Sequence, residues 1–153
     1  MRRYRTFASN MMSVTCKTAI KALIYLATRQ GSEVKSSLRE IAGYIHASEH
    51  TVGKLLQALV KKKLINSTKG PSGGFYMTRT QCLQPLIRIV EAIDGEDVFT
   101  ECGLGLKKCS SNHPCPIHNE YKVVRETFEQ ICREKKLIDL CGPVHEGLTH
   151  LTI

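Results

Sequence analysis

Apolar residues recur at helical spacing through the first part of this chain. Between residues 15 and 30, alanines and leucines repeat every three or four positions, which predicts a first helix that stops at Gly31. Ser37 and Glu40 have the spacing of a capping box and predict the start of a short second helix. Ser48 is the expected N-cap of a third helix, whose apolar stripe is Val52, Leu55, Leu56, Leu59 and Val60.

The spacing of apolar residues changes from that of a helix to that of a strand directly after the third helix. Residues 64–68 predict a strand, residues 69–74 a tight turn and residues 75–78 the returning strand. Two short helices, a turn and then a hairpin are the order of a winged helix-turn-helix. The glycines of the turn let its backbone approach a phosphate or a minor groove, so the hairpin is predicted to be a DNA-binding wing.

The second half of the chain is predicted to be helical on both sides of a cysteine-containing loop. Pro85 opens a helix that continues through Ile93 and ends at Gly95. From about residue 116 to residue 136 a long helix carries an apolar stripe: Ile117, Tyr121, Val124, Phe128 and Ile131. We expect this stripe to pack against its copy in a homodimer. The predicted fold class is mainly α, a winged helix-turn-helix with a two-stranded wing and a long C-terminal dimerisation helix.

The charge is distributed unevenly between the two halves. Residues 1–80 carry 14 Lys and Arg against 3 Asp and Glu, whereas residues 81–153 carry 8 against 11. The first half is therefore a candidate surface for a polyanion, and double-stranded DNA is the expected partner. We divide the chain into an extension (1–11), a winged helix-turn-helix domain (12–80), a cysteine loop with a dimerisation helix (81–140) and a tail (141–153).

The candidate DNA-contacting residues lie on the third helix and in the wing. Side chains near the start of the helix are expected to contact base edges in the major groove. Lysines at its end and in the wing are expected to contact phosphates. The candidates are Ser48, His50, Thr51, Lys54, Lys61, Lys69, Ser72 and Gly73. The lysines at residues 61–63 also fit a solvated helix end whose charges favour the helix dipole.

Three cysteines and a histidine, Cys102, Cys109, Cys115 and His118, lie within seventeen residues. Thiolates with an imidazole suit an iron–sulfur cluster or zinc. Structural zinc sites usually hold their ligands in pairs two to four residues apart, whereas six and five residues separate these cysteines. A loop around a larger inorganic cluster fits better, while zinc and metal-free thiols are the alternatives. His113 is a weaker candidate and fits a solvated loop residue.

The remaining features exclude several classes of protein. Seven cysteines without a secretory signal favour cytosolic thiols over a disulfide framework, so a cytoplasmic protein is expected. Cys16, Cys82, Cys132 and Cys141 are expected to be small apolar residues of helices. No membrane span and no catalytic motif is visible in the sequence, so neither a membrane partner nor an enzyme is expected. An electron carrier would leave the wing and the basic half unexplained.

At these motifs the chain resembles the bacterial Rrf-type iron–sulfur cluster regulator family, the winged-helix transcription regulators that include IscR-like and NsrR-like proteins. The resemblance rests on the wing at residues 69–76, on residues 38–42 and on the cysteine loop, and it covers about residues 12–140. It implies a homodimeric transcription regulator whose cluster state tunes its affinity for a DNA operator.

The resemblance also implies a ligand set. In the IscR-like branch, three loop cysteines and a histidine just past the third bind a 2Fe–2S cluster, and Cys102, Cys109, Cys115 and His118 match these positions. The first spacer has six residues here and five in the IscR-like pattern. Other branches use an acid near the start of the first helix, where this chain has Lys17, which favours His118. The resemblance thus implies 2Fe–2S over 4Fe–4S, and an exposed cluster could be lost from an aerobically prepared crystal.

Overall fold

The computed structural model describes residues 11–29 and 34–152. The predicted extension lies almost entirely outside these residues, and so does the helix stop expected at Gly31. The helices and strands are α1 (Val14–Thr28), α2 (Leu38–Tyr44), α3 (Glu49–Lys61), β1 (Asn66–Thr68), β2 (Gly74–Tyr76), α4 (Arg79–Cys82), α5 (Leu86–Asp94), α6 (His118–Glu134) and α7 (Cys141–His145). Two 3₁₀ turns, Glu96–Phe99 and Leu137–Leu140, follow α5 and α6.

Each of the first three helices begins at a serine whose hydroxyl satisfies a free backbone amide. Ser13 accepts a hydrogen bond from the Cys16 amide at 3.0 Å. Ser37 and Glu40 form the predicted capping box, with bonds of 3.2 and 2.7 Å. The Ser48 hydroxyl caps α3 by accepting a hydrogen bond from the Thr51 amide. These local bonds fix the helix starts, and the helix-turn-helix predicted from the sequence is therefore present.

The wing is a two-stranded antiparallel sheet that pairs Asn66 with Tyr76 and Thr68 with Gly74. Both strands are shorter than predicted. Leu64 and Ile65 are buried in the core and precede β1, and β2 ends at Tyr76 because Thr78 caps α4. Ser36 extends the sheet at its other edge, where it exchanges two backbone hydrogen bonds of 2.8 and 2.9 Å with Phe75. The wing is therefore anchored to the segment that leads into α2.

The C-terminal elements return to the core of the N-terminal half. Helix α6 ends at Glu134, and the extended residues after it exchange backbone hydrogen bonds of 2.9 and 3.0 Å with the start of α5. The sequence indicated a helix break at residues 141–143, whereas α7 begins at Cys141. Pro143 is tolerated there because the amides of a first helical turn need no partner within the helix. Leu137 and Cys141 are buried, and the buried core runs without a gap from α1 to α7.

Among the described residues, no helix combines the length and the apolar character that crossing a membrane requires. The division of the chain at residue 80 remains a prediction.

Candidate functional site

The loop between α5 and α6 brings its three cysteines together. The sulfur atoms of Cys102, Cys109 and Cys115 all lie within 4.8 Å of one another. The Cys102 sulfur lies 3.5 Å from the Cys115 sulfur. Residues up to thirteen positions apart in the chain therefore converge on one point, as expected for ligands of a single metal centre.

His118 contacts one sulfur of this group, that of Cys109, although its ring nitrogens do not lie within 4.8 Å of all three sulfurs. It is the first residue of α6, and its Nδ1 lies 3.1 Å from the Cys109 sulfur. The His118 amide also donates to the Cys115 carbonyl at 3.0 Å. By contrast, His113 is exposed, lies outside the sulfur group and pairs through its backbone with Ser110. Of the two histidines considered, the structure brings His118 to the cysteines.

Backbone amides make the environment of the loop favourable for thiolates. The Leu104 amide donates to the Cys102 sulfur and the Cys115 amide to the Cys109 sulfur, each at 3.4 Å. Backbone hydrogen bonds, with that of Leu106 the strongest, lower the pKa of Cys102 to about 7. Burial raises the pKa of Cys115. Since the thiolate is the form that binds metals and reacts with oxidants, the lowered pKa of Cys102 favours both reactions.

Two residues of α6 contact the start of the loop: Arg125, which the sequence did not indicate, and Tyr121, which was expected to be part of the dimer stripe. Nη1 of Arg125 donates to the carbonyls of Thr100 and Glu101 at 2.9 and 2.5 Å. Tyr121 packs so closely on Gly103 that a Cβ there would lie 2.8 Å from its ring. Nothing in the local sequence signals these contacts, because the paired residues are about twenty positions apart.

The four cysteines outside the loop are buried, as predicted. Burial, followed by the nearby Asp94 carboxylate, raises the pKa of Cys16 to about 12. Burial also raises the pKa of Cys132 and of Cys141 to about 11 and shifts the pKa of Cys82 upward. These thiols therefore stay protonated near neutral pH and serve as small apolar core residues.

The predicted base-contacting residues of α3 fall into two groups. Ser48 and Thr51 are engaged with each other at the helix start, because the Ser48 hydroxyl accepts from the Thr51 amide at 3.2 Å and donates to the Thr51 hydroxyl at 3.1 Å. His50 and Lys54 instead line an open groove of about 530 Å³, together with Lys61, which was predicted to contact phosphate. Ser48 and Thr51 therefore serve the start of the helix in this structure.

The groove has further residues that were not among the candidates. Glu49 and Gln57 lie on its rim, and Leu38, Gly53 and Ala58 contribute its apolar lining. Glu49 and Gln57 are polar residues of α3. Their position beside the α2 residue Leu38 depends on how α2 and α3 pack.

The wing places its candidates at an exposed turn. Lys69 and Ser72 are exposed. Gly70 has a φ of 102°, and a Cβ at Gly73 would lie 2.3 Å from the Thr68 carbonyl oxygen. Gly73 is therefore required for the turn to close, which is a structural role independent of any contact with DNA.

Gln81 fixes the base of the wing against the end of α3. Its side-chain nitrogen Nε2 donates to the Lys63 carbonyl at 3.1 Å. Its oxygen accepts from the Asn66 side chain at 2.8 Å and from the Thr78 amide at 2.9 Å. Helix α3 and the wing are thereby held in one arrangement. The sequence analysis did not identify Gln81.

The apolar stripe predicted on α6 divides between two faces. Phe128 faces the core of its own chain, where its ring lies 5.5 Å from that of Phe99. Val123, Val124 and Ile131 are 62%, 48% and 50% exposed. We call these three residues the outer face of α6. It is an apolar surface without a partner within the described chain.

Comparison with known proteins identifies the family. A family model described as "Rrf2: Iron-dependent Transcriptional regulator" matches residues 12–143. The chain belongs to the Rrf2 family. The match includes both the winged half and the cysteine loop, and it confirms the resemblance seen in the motifs.

Similar proteins agree with this assignment. An Aquifex aeolicus protein named as an HTH-type transcriptional regulator is 26% identical over 132 residues, which cover 85% of this chain and 90% of that protein. Among solved structures, the T. potens IscR structure has a TM-score of 0.68 at 22% identity and covers 90% of each chain. CymR, the global cysteine regulator of B. subtilis, has a TM-score of 0.65 at 20% identity, covering 85% of this chain and 95% of its own.

These likenesses confirm the predicted winged-helix fold class of the Rrf2 chain. The family and these relatives are transcriptional regulators, not enzymes, and regulation of transcription implies DNA binding.

Proposed function

We propose that this Rrf2-family transcriptional regulator binds its DNA operator with an affinity set by an iron–sulfur cluster. The ligands are Cys102, Cys109, Cys115 and His118. The observation that carries the proposal is the convergence of three sulfurs within 4.8 Å, with an imidazole nitrogen 3.1 Å from one of them. That the family is described as iron-dependent supports the same reading.

The residues present fit such a cluster chemically. Three thiols and one imidazole supply four soft or borderline ligands. Amides that donate to the sulfurs of Cys102 and Cys109 compensate thiolate charge and are the kind of hydrogen bond that tunes a cluster's reduction potential. Histidine ligation is established for 2Fe–2S centres, which favours 2Fe–2S over 4Fe–4S. When bound, the cluster would supply a redox-sensitive and oxygen-sensitive group at this position.

The DNA-contacting surface in this proposal is α3 with the wing. His50 and Lys54 approach base edges, together with Ser48 and Thr51 at the start of the helix. Contacts to the phosphate backbone come from Lys61 and from the wing residues Lys69, Ser72 and Gly73. The basic first half of the chain supports this assignment, because attraction to phosphates dominates the affinity of DNA-binding proteins.

The outer face of α6 forms a homodimer interface in this proposal. An apolar helix face that is about half exposed gains stability by packing on a copy of itself. A two-fold dimer would also space two recognition helices for successive major grooves.

The cysteine loop lies beside this interface, since Arg125 joins the loop to α6 next to Val124. Loss of the cluster leaves up to three thiols in a loop with exposed Leu104 and Leu106, and ordering or disordering of such a segment is an established switching device. The state of the loop can therefore change how the two winged halves are placed.

A second candidate is a regulator of the same fold that senses through its thiols or holds zinc. The distance of 3.5 Å between the Cys102 and Cys115 sulfurs, with the low pKa of Cys102, favours direct thiol oxidation. Three cysteines and a histidine are also an established zinc ligand set.

The test is to purify the full chain without oxygen and to measure visible absorbance, iron, sulfide and zinc. Operator affinity is then compared for wild type with cluster, wild type without cluster, Cys109→Ala and the control His113→Ala. We expect brown wild type and brown His113→Ala. The metal-free protein and Cys109→Ala should share an affinity that differs from the cluster-loaded form by about 5- to 150-fold, the usual range of allosteric coupling.

Two results would contradict the proposal. Colourless anaerobic protein that contains zinc, or no metal, would favour the second candidate. Equal affinities for all four samples would show that the cysteine loop does not regulate DNA binding.

A further inference from the structure

The groove beside α3 has a glycine in its floor. Gly53 lies in the middle of α3, where glycine is among the least favourable residues. A Cβ at this position would lie 3.3 Å from Cδ2 of Leu38 and would occupy space that the glycine leaves free. The glycine therefore lets Leu38 approach α3 closely, and it leaves the groove between them without a side chain from residue 53.

We propose that this groove reads a thymine in the operator, with the C5-methyl group seated on the apolar floor formed by Leu38, Gly53 and Ala58. The proposal rests on the proposed function, because it takes α3 as the helix that enters the major groove. In the major groove of DNA, thymine is the base that presents a methyl group, and small or aliphatic side chains are the groups that contact this methyl group.

The rim of the groove fits the edge of a base pair around that methyl group. Lys54 and Lys61 bring positive charge toward the DNA. Gln57 can donate to and accept from an adenine edge, and Glu49 can accept from the amino group of a cytosine. The groove has a volume of about 530 Å³ and is open to solvent.

Gly43 of α2 offers a matched control. It is also a helical glycine, and a Cβ there would meet nothing within 4 Å. Alanine should favour the helix at either position, since it is a better helix former than glycine. At residue 53 the added methyl group also narrows the floor, which the variant at residue 43 leaves unchanged.

The experiment begins by selecting preferred duplexes from a random pool with the purified full-length protein. Each thymine of the selected half-site is then replaced by deoxyuridine, which removes the methyl group alone. We expect one position at which this replacement weakens wild-type binding by about fourfold, the ratio that corresponds to one buried methyl group. Gly53→Ala should bind the thymine duplex more weakly and lose the difference between thymine and deoxyuridine. Gly43→Ala should keep both the affinity and the thymine preference and should melt at or above the wild-type temperature. Circular dichroism checks that Gly53→Ala is folded at the temperature of the binding assay.

The outcomes separate this inference from the function on which it rests. If wild type selects a sequence but no thymine position responds to deoxyuridine, the thymine site is refuted while DNA binding stands. If Gly53→Ala retains the wild-type ratio of affinities for the thymine and deoxyuridine duplexes, the thymine methyl group does not bind in this groove. Failure to select any duplex would overturn the DNA-binding proposal together with this one.

Discussion

Replacing Arg125 with alanine should loosen the cysteine loop while leaving the rest of the fold intact. The side chain donates two hydrogen bonds from α6 to the backbone carbonyls of Thr100 and Glu101, directly before Cys102. A hydrogen bond contributes about 1 kcal/mol net, and more when the donor is charged. Since this region is partly exposed to solvent, we take the lower figure and expect a loss of about 2 kcal/mol of local stability.

That loss corresponds to about a 30-fold increase in the population of the open loop, because 1.4 kcal/mol is a factor of ten. Hydrogen exchange of the metal-free protein, followed by mass spectrometry of a peptide spanning residues 99–106, measures it directly. The Gly105 amide is a suitable reporter, since it donates to the Cys102 carbonyl at 2.8 Å in the ordered loop.

Arg133→Ala is the matched control on the same helix. Arg133 is 61% exposed and, among the residues that the structure describes, pairs with Glu129 alone, one turn away. Its removal should therefore leave the loop unchanged. Equal exchange of the loop peptide in Arg125→Ala and wild type would refute the reasoning. If hydrogen exchange in α5 accelerated as much as in the loop peptide, Arg125 would be shown to support the whole fold instead of the loop.

Three further predictions concern the interface, the wing and the core. Val124→Asp should give folded monomers with weakened operator binding, and a wild type that sediments as a monomer at micromolar concentration would contradict the dimer. Lys69→Ala should flatten the dependence of log affinity on log salt by about one unit, whereas an unchanged slope would mean that the wing touches no phosphate. Burial raises the pKa of Cys16 from 9.0 to about 12, so the unfolded chain loses this proton first and the free energy of unfolding should fall as pH rises above 9. Urea unfolding should show a shallower alkaline decline in Cys16→Ala, by up to about 1.4 kcal/mol per pH unit, and parallel declines would rule out this thiol as a cause.

The sequence alone determined the elements that depend on near neighbours. Ser37 with Glu40 and Ser48 before α3 mark helix starts, because a cap bonds an amide only two or three residues away. The wing was visible for the same reason, since its glycines act within one turn. The four candidate ligands could be named because thiols and imidazole carry their chemistry wherever they lie. The roles of those ligands, the DNA contacts and the homodimer stay predictions.

Tertiary structure alone decided which of these groups meet. The stripe on α6 reads as one face in sequence, yet Phe128 turns inward to Phe99 while Val124 stays exposed. The return of α7 to α1, the contact of Arg125 with the loop and the groove over Gly53 all join residues far apart in the chain. Periodicity within one segment specifies which side of a helix is apolar but not which segment will cover it. That choice is made when the whole core assembles and each apolar face competes for partners.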